Sequence, residues 1–255
     1  MNLFDLKGRT ALVTGASSGL GRHFAGVLSQ AGADVVVAAR RMDRLETLAE
    51  EISKHGGRAL PVAMDVTSDD SVSGAFAEIK EALGRPCDII ISNSGLSREA
   101  LFREQSEADW NTVIDTNLTG VWRVGKHGTN AMIDAGVKGS IVNIASITAH
   151  RPQFMTTAYC VSKAGVDHLT RHMALENARY GIRVNAISPG YYKTEINDEY
   201  LESDAGEAMR KRIPMRRFGE YRELDGALLL LSSDAGSFMT GSTVVVDGGH
   251  MLIPL

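Results

Sequence analysis

The stretch AYCVSKAG, residues 158–165, sets Tyr159 and Lys163 four positions apart, the spacing that puts two side chains on one face of a helix. A phenol ordinarily ionises at about 10 and is a poor proton carrier at neutral pH. A nearby ammonium favours the phenolate and lowers that value, so Tyr159 can pass a proton to or from a substrate oxygen. Alone, the spacing says little, because such pairs occur on many solvated helix faces with the lysine stem lying along the surface. Ser146 adds context: it ends the apolar run SIVNIAS (140–146), thirteen residues before the tyrosine, and α/β sheets bind ligands at the carboxyl ends of their strands. A hydroxyl there can hold and polarise the same substrate oxygen without being a nucleophile, and no nucleophile-elbow pattern surrounds it.

A second chemical signal is TGASSGLG (14–21), which follows one apolar run and opens a helical pattern. Gly15 permits the tight turn, Gly19 lets a pyrophosphate approach the backbone, and Gly21 allows close helix packing. Ser17, Ser18 and Leu20 complete the turn, and the N–H groups at the helix start face the negative charge. At the end of the next run, VVVAARRMDR, Ala39 stands where an aspartate would accept from a ribose 2′-hydroxyl, and Arg40 and Arg41 follow it. Two guanidiniums favour a 2′-phosphate, so NADP(H) is expected over NAD(H). Asp43 is near enough to neutralise one of them, and Asp65 and Val66, ending a third run, are candidates for the adenine.

The elements that must position these residues alternate. Apolar, β-branched runs at 10–15, 33–39, 59–66, 87–93, 140–146, 183–188 and 242–248 are separated by helical patterns at 19–31, 42–55, 69–83, 107–135, 157–180 and 221–232. The runs are nearly continuous rather than alternating with polar residues, as in strands covered on both faces. The expected fold is α/β: a single-domain, doubly wound Rossmann fold with a seven-stranded parallel sheet flanked by helices, spanning 1–255. The polar segment 191–218 interrupts the alternation just after a strand end and is expected to act as a substrate lid.

Composition limits the partners. The 255 residues are 44% hydrophobic and 23% charged, values of an ordinary globular protein. A net charge of −4 gives no overall attraction to nucleic acid or to anionic membranes. Cys87 and Cys160 lie far apart, outside disulfide or zinc-ligand spacing. With no signal-peptide or membrane-length run, a cytoplasmic protein without a metal is expected.

The ordered set TGASSGLG, DV at 65–66, NSG at 93–95, IDTNLTG at 114–120, Ser146, Tyr159 with Lys163, SPG at 188–190 with Thr194, and VDGG at 246–249 resembles the short-chain dehydrogenase/reductase family, in its compact branch of about 250 residues, over essentially the whole chain. The resemblance implies a catalytic tetrad of Asn117, Ser146, Tyr159 and Lys163. Tyr159 would be the acid/base and Ser146 would hold the carbonyl or hydroxyl. Lys163 would bind the nicotinamide ribose and lower the tyrosine pKa, while Asn117 would hold a water linking Lys163 to solvent. Asn93, Ser94, Gly95, Pro189, Gly190, Tyr192 and Thr194 would join the cofactor contacts. Ser94 and Tyr192 depart from the family's usual residues, the latter suggesting an aromatic wall beside the nicotinamide. The reaction implied is hydride transfer between NADP(H) and a ketone or secondary alcohol, in a homotetramer or homodimer whose subunits pack through 107–135 and 157–180.

For the substrate, a small carbonyl or alcohol compound, the candidate contacts are Ser146, His150, Gln153, Phe154, Tyr159 and Tyr191. The basic run MRKRIPMRR (209–217) keeps a 3-oxoacyl reductase for acyl carrier protein or CoA open as an alternative, beside an NAD-dependent alcohol or sugar dehydrogenase and, last, a non-catalytic dinucleotide sensor.

Overall fold

The computed structural model describes residues 3–192 and 203–252. Seven strands form one sheet in the order β3-β2-β1-β4-β5-β6-β7: β1 (Thr10–Thr14), β2 (Asp34–Ala39), β3 (Ala59–Ala63), β4 (Ile89–Ser92), β5 (Gly139–Ile144), β6 (Ile182–Pro189) and β7 (Thr243–Val246). Every neighbouring pair is parallel. Right-handed crossovers carry the chain outward from β1 to β3, back to β4, and on to β7 on the other side. The loops after β1 and β4 therefore diverge and open a crevice between them.

The continuous apolar runs follow from the two covered faces. Ala11, Val13, Val35, Val37, Ile89 and Ile91 point into one layer with Phe24 and Leu28 of α1 (Gly19–Gln30), Leu45 and Leu48 of α2 (Met42–Lys54), and Leu228 and Leu231. The residues between them, Leu12, Val36 and Ile90, point into the opposite layer. There they meet Val72 and Ile79 of α3 (Asp69–Leu83), Val124 and Met132 of α5 (Gly120–Asp134), and Ala174 of α6 (Thr157–Asn177). Alternate side chains thus serve different cores, and a one-residue slip would exchange them all. Each fully buried Leu or Ile contributes roughly 1.5–3 kcal/mol.

Three elements differ from the pattern in the sequence. The helix expected over 107–135 is α4 (Glu107–Ile114) and α5 joined by a π-turn at Asp115–Thr119, because Asn117 in that turn bonds to the loop after β4. The helix expected over 221–232 begins as a 3₁₀ turn, Tyr221–Leu224, fixed by reciprocal Glu220 and Glu223 capping, before α8 (Asp225–Ser232). Segment 191–218 contains α7 (Asp204–Arg212), capped by the Ser203 side chain. Its residues 193–202 lie outside the described residues. No helix among the described residues is long and apolar enough to cross a membrane.

Candidate active site

β5 and α6 bring the two hydroxyls and the ammonium together. Lys163 is 4% exposed; its Nζ donates to the Ile144 carbonyl at 2.6 Å and lies 5.6 Å from the centroid of the Tyr159 ring. That bond uses one of the ammonium's three donors. Ser146, two residues past Ile144, caps a short 3₁₀ turn, Ile147–Ala149, its Oγ accepting from Thr148 N at 3.1 Å. The same hydroxyl acts on the Tyr159 phenol, favouring its ionised form. Tyr159 and Ser146 therefore present adjacent O–H groups above a buried lysine, and a substrate oxygen placed there can be held by both.

Burial decides the protonation of this group. It pushes the Tyr159 phenol above its ordinary value, with the Ser146 hydroxyl pulling the other way. Burial also pushes Lys163 down to about 8. In the free protein the net shift of the phenol is upward, because desolvation of the phenolate outweighs the favourable contacts.

Asn117 is fully buried. Its Oδ1 accepts from Leu96 N at 2.8 Å, and its Nδ2 donates to Leu96 O at 2.9 Å and to Ser162 Oγ at 3.1 Å. Asn117, which the family resemblance assigns to holding a water, thus has both ends of its side chain engaged with protein partners. It ties the loop after β4 and the π-turn to α6 at Ser162, the residue next to Lys163. A Cβ on Gly95 would stand 3.4 Å from Asn117 Oδ1 and 3.7 Å from Lys163 Nζ, so this loop runs directly against the tetrad.

The glycine turn is clasped from the neighbouring strand. Thr14 Oγ1 accepts from Asn93 N at 3.0 Å and Ser94 N at 3.2 Å, while Asn93 Nδ2 donates to Thr14 O at 3.1 Å. Gly15 takes φ +67°, and a Cβ there would lie 3.0 Å from Asn93 Nδ2. At Gly21 a Cβ would sit 2.4 Å from the Gly15 carbonyl oxygen, so only glycine lets α1 start this close to β1. Ser18 caps α1 without a side-chain bond, and the first turn holds no acidic residue. The helix start therefore directs backbone N–H groups outward, as a dinucleotide pyrophosphate requires. Gly19 faces open space: a Cβ there would meet nothing nearer than Tyr221 Oη, at 3.8 Å.

On the adenosine side, Arg41 Nη2 donates to Ser17 Oγ at 3.0 Å, joining the end of β2 to the glycine turn. Arg40 is exposed beside it. Burial would raise the Asp65 carboxyl, but hydrogen bonds from the Thr67 side chain and backbone, aided by Arg40 and Arg123, hold it below its usual range. Val66 is buried, and its carbonyl accepts from Arg123 Nη1 at 3.0 Å. The same guanidinium reaches Asp115 Oδ1 at 2.8 Å in the π-turn. A groove of ≈ 920 Å³ between α1 and α2 meets this region at Ser17, Ser18, Gly19 and Arg41 but does not reach the tetrad.

The substrate-side candidates are placed unevenly. His150 and Phe154 are exposed and Gln153 is half-buried, all in the loop between Ser146 and Tyr159. Tyr191 packs against His250 with ring centroids 5.4 Å apart and planes tilted by 45°. Gly190 donates from its N to Val246 O at 2.9 Å beside Pro189, which pairs with Val246 in the sheet. Tyr192 departs from the expected aromatic wall: it is 7% exposed and belongs to a core cluster. Its hydroxyl donates to Val246 O at 2.8 Å, and Gly219 lies against its ring. A ring adjoining the end of an apolar strand gains more from burial than from display. Thr194 lies outside the described residues.

Four contributors escaped sequence reasoning: Thr14, Leu96, Ser162 and Arg123. Ser162 is fully buried and bonds both Tyr159 O, at 2.7 Å, and Asn117. Its signal was position, three residues past Tyr159 on the same helix face. Leu96 acts only through its backbone, which no side-chain motif reports.

A family model described as enoyl-(acyl carrier protein) reductase matches residues 15–251. The chain is 37% identical over 249 residues to gluconate 5-dehydrogenase of Gluconobacter oxydans (strain 621H), covering 97% of this chain and 96% of that protein. Among solved structures it is similar to a short-chain type dehydrogenase/reductase from Mycobacterium marinum, with a TM-score of 0.92, 41% identity and 98% of each chain covered. It is also similar to a gluconate 5-dehydrogenase from Burkholderia cenocepacia J2315 in complex with NADP and tartrate, with a TM-score of 0.94, 34% identity and 98% of each chain covered. With the hydroxyl pair, the buried lysine and the glycine turn, these matches establish that the chain belongs to the short-chain dehydrogenase/reductase family of oxidoreductases.

Proposed function

We propose that this protein interconverts a ketone and a secondary alcohol, using NADP(H) in preference to NAD(H). The observation that carries the reading is the buried Lys163, bonded to the end of β5 and 5.6 Å from the Tyr159 ring centroid, with the Ser146 hydroxyl acting on the same phenol. When bound, the nicotinamide supplies or accepts the hydride. Gly15, Ser17, Ser18, Gly19, Leu20 and Gly21 would hold the pyrophosphate, and Asp65, Val66, Ser94, Gly95, Pro189, Gly190 and Lys163 the remaining length. Tyr159 gives its proton to the substrate oxygen in reduction and takes it back in oxidation, and Ser146 fixes that oxygen. Arg40 and Arg41 support NADP(H), the Arg41–Ser17 bond placing a guanidinium at the rim of the glycine turn.

For substrate, we favour a small hydroxy or keto acid. The likeness to gluconate 5-dehydrogenases supports it, as do Arg151 and Arg212, whose charges both bear on His250 near Tyr191 and would attract a carboxylate. The 35% identity to a 3-oxoacyl-[acyl-carrier-protein] reductase of Thermotoga maritima keeps a 3-oxoacyl thioester as the second reading. The test is coenzyme consumption with 5-keto-D-gluconate and with a 3-oxoacyl-CoA, each with NADPH and NADH. Faster NADPH turnover on the keto acid is expected; turnover on the thioester alone would select the second reading, and NADH preference would overturn the coenzyme assignment.

The whole chain would act as one catalytic unit, in a cytoplasm compatible with its free thiols, Cys87 and Cys160. Exposed Trp122 on α5 and Val161 and Leu175 on α6 support assembly of copies through these helices into a dimer or tetramer. Light scattering on the purified chain reads that directly, and a monomer would refute it.

A further inference from the structure

Two histidines outside the catalytic machinery face each other on the exposed side of α6. His168 and His172 are four residues apart, their Nε2 atoms 3.3 Å from one another and their rings edge to face with centroids 4.9 Å apart. We propose that this pair is a binding site for a borderline-soft divalent metal ion of the zinc, nickel or copper class.

The separation is what a chelating ion needs. With metal–nitrogen bonds of about 2.0–2.1 Å, two ligands at the tetrahedral angle have nitrogens about 3.3 Å apart. The imidazoles already stand close to that bite, joined by an Nε2···Nε2 hydrogen bond whose proton is released to solvent when the ion takes its place. Imidazole nitrogens suit zinc, copper and nickel, whereas magnesium and calcium want oxygen. The intervening cation, Arg171, is turned to Asp167 in a close ion pair, and Asp167 also accepts from Thr243 Oγ1 at 2.5 Å. This neutralises the guanidinium that would otherwise repel a bound ion. Other histidines are occupied differently: His23 pairs with Asp225 at 2.6 Å and His127 with Asp69 at 3.0 Å. No group of three or more possible ligands exists among the described residues, so this is a two-ligand site. Water completes the coordination, or a second copy's pair does where two α6 helices meet about a two-fold axis.

The site lies on the helix that carries Tyr159 and Lys163 but touches neither, so it is independent of the redox reaction. The test is calorimetric titration of zinc, nickel and magnesium chlorides into tag-free, chelator-stripped protein, alongside His168→Gln, His172→Gln and the double variant. Saturable zinc and nickel binding and none for magnesium is expected. One ion per chain means completion by water, and one per two chains means a shared site. Each single variant should weaken binding by at least about tenfold and the double variant should abolish it. NADPH turnover should be unchanged in all three, certifying their fold. Unsaturable zinc binding to the parent, or equal affinity in the folded double variant, would overturn the proposal.

Discussion

Lys163 donates its ammonium to the carbonyl of Ile144 at 2.6 Å, joining the face of α6 that bears Tyr159 to the last residue of β5. Ser146 lies two residues beyond that carbonyl. The bond therefore couples the position of the serine hydroxyl to that of the helix bearing Tyr159, and it keeps a charge-bearing group in a place where burial disfavours charge.

That burial makes a pH-dependent signature. Lys163 is pushed down to about 8, below its unfolded value of about 10.4. Between these values the unfolded chain binds more protons than the folded one, so stability rises with pH across that window; below about 8 both states hold the proton and the penalty is constant. Tyr159, raised by burial, contributes the opposite sign only at still higher pH, where an unfolded phenol ionises. Denaturant unfolding of the ligand-free protein at pH 7.5 and 9.5 should show Lys163→Met lacking a gain of about 1–2 kcal/mol that the parent shows. Parallel pH dependence in the two proteins would remove the assignment.

Tyr159→Phe deletes the hydroxyl and little else. We expect kcat to fall by about 10²–10⁴-fold with NADPH affinity, followed by fluorescence, nearly unchanged. Retained turnover would show that another group carries the proton.

Ser162→Ala tests the clamp behind the tetrad. The change leaves Asn117 Nδ2 with one protein partner in a fully buried place, at a cost of about 1–3 kcal/mol. The readout that separates positioning from stability is KM against kcat below the unfolding transition: a positioning role lowers kcat, and Ser162→Thr should restore part of it if its hydroxyl reaches Asn117.

Arg40→Ala and Arg41→Ala should raise KM for NADPH by about ten- to a hundredfold, the worth of a hydrogen bond to a charged group, with far less effect on NADH. Arg41→Ala should have the larger effect on the glycine turn itself, because it also frees Ser17. Equal losses with both coenzymes would mean that neither arginine meets the 2′-phosphate.

Much of this was legible because its causes are local. Apolar, β-branched runs such as Ile89–Ser92 specify strands, and continuity within them reports that both faces are covered. Gly15 and Gly21 announce a tight turn because no other residue fits it, and Tyr159 and Lys163 share a face by helix geometry alone. Fold class, the crevice and the meeting of Tyr159 with Lys163 were set at that level. What the tertiary structure decided depends on partners remote in the chain. The π-turn exists because Asn117 meets Leu96, twenty-one positions away. Tyr192 turns inward because Gly219 and Val246 leave room and an acceptor for it. The direction of the Tyr159 and Lys163 shifts comes from desolvation, which is fixed by how β5, α6 and the loop after β4 close over the pair. Residue spacing names the groups that can meet, but the water they lose on meeting is a property of the assembled fold.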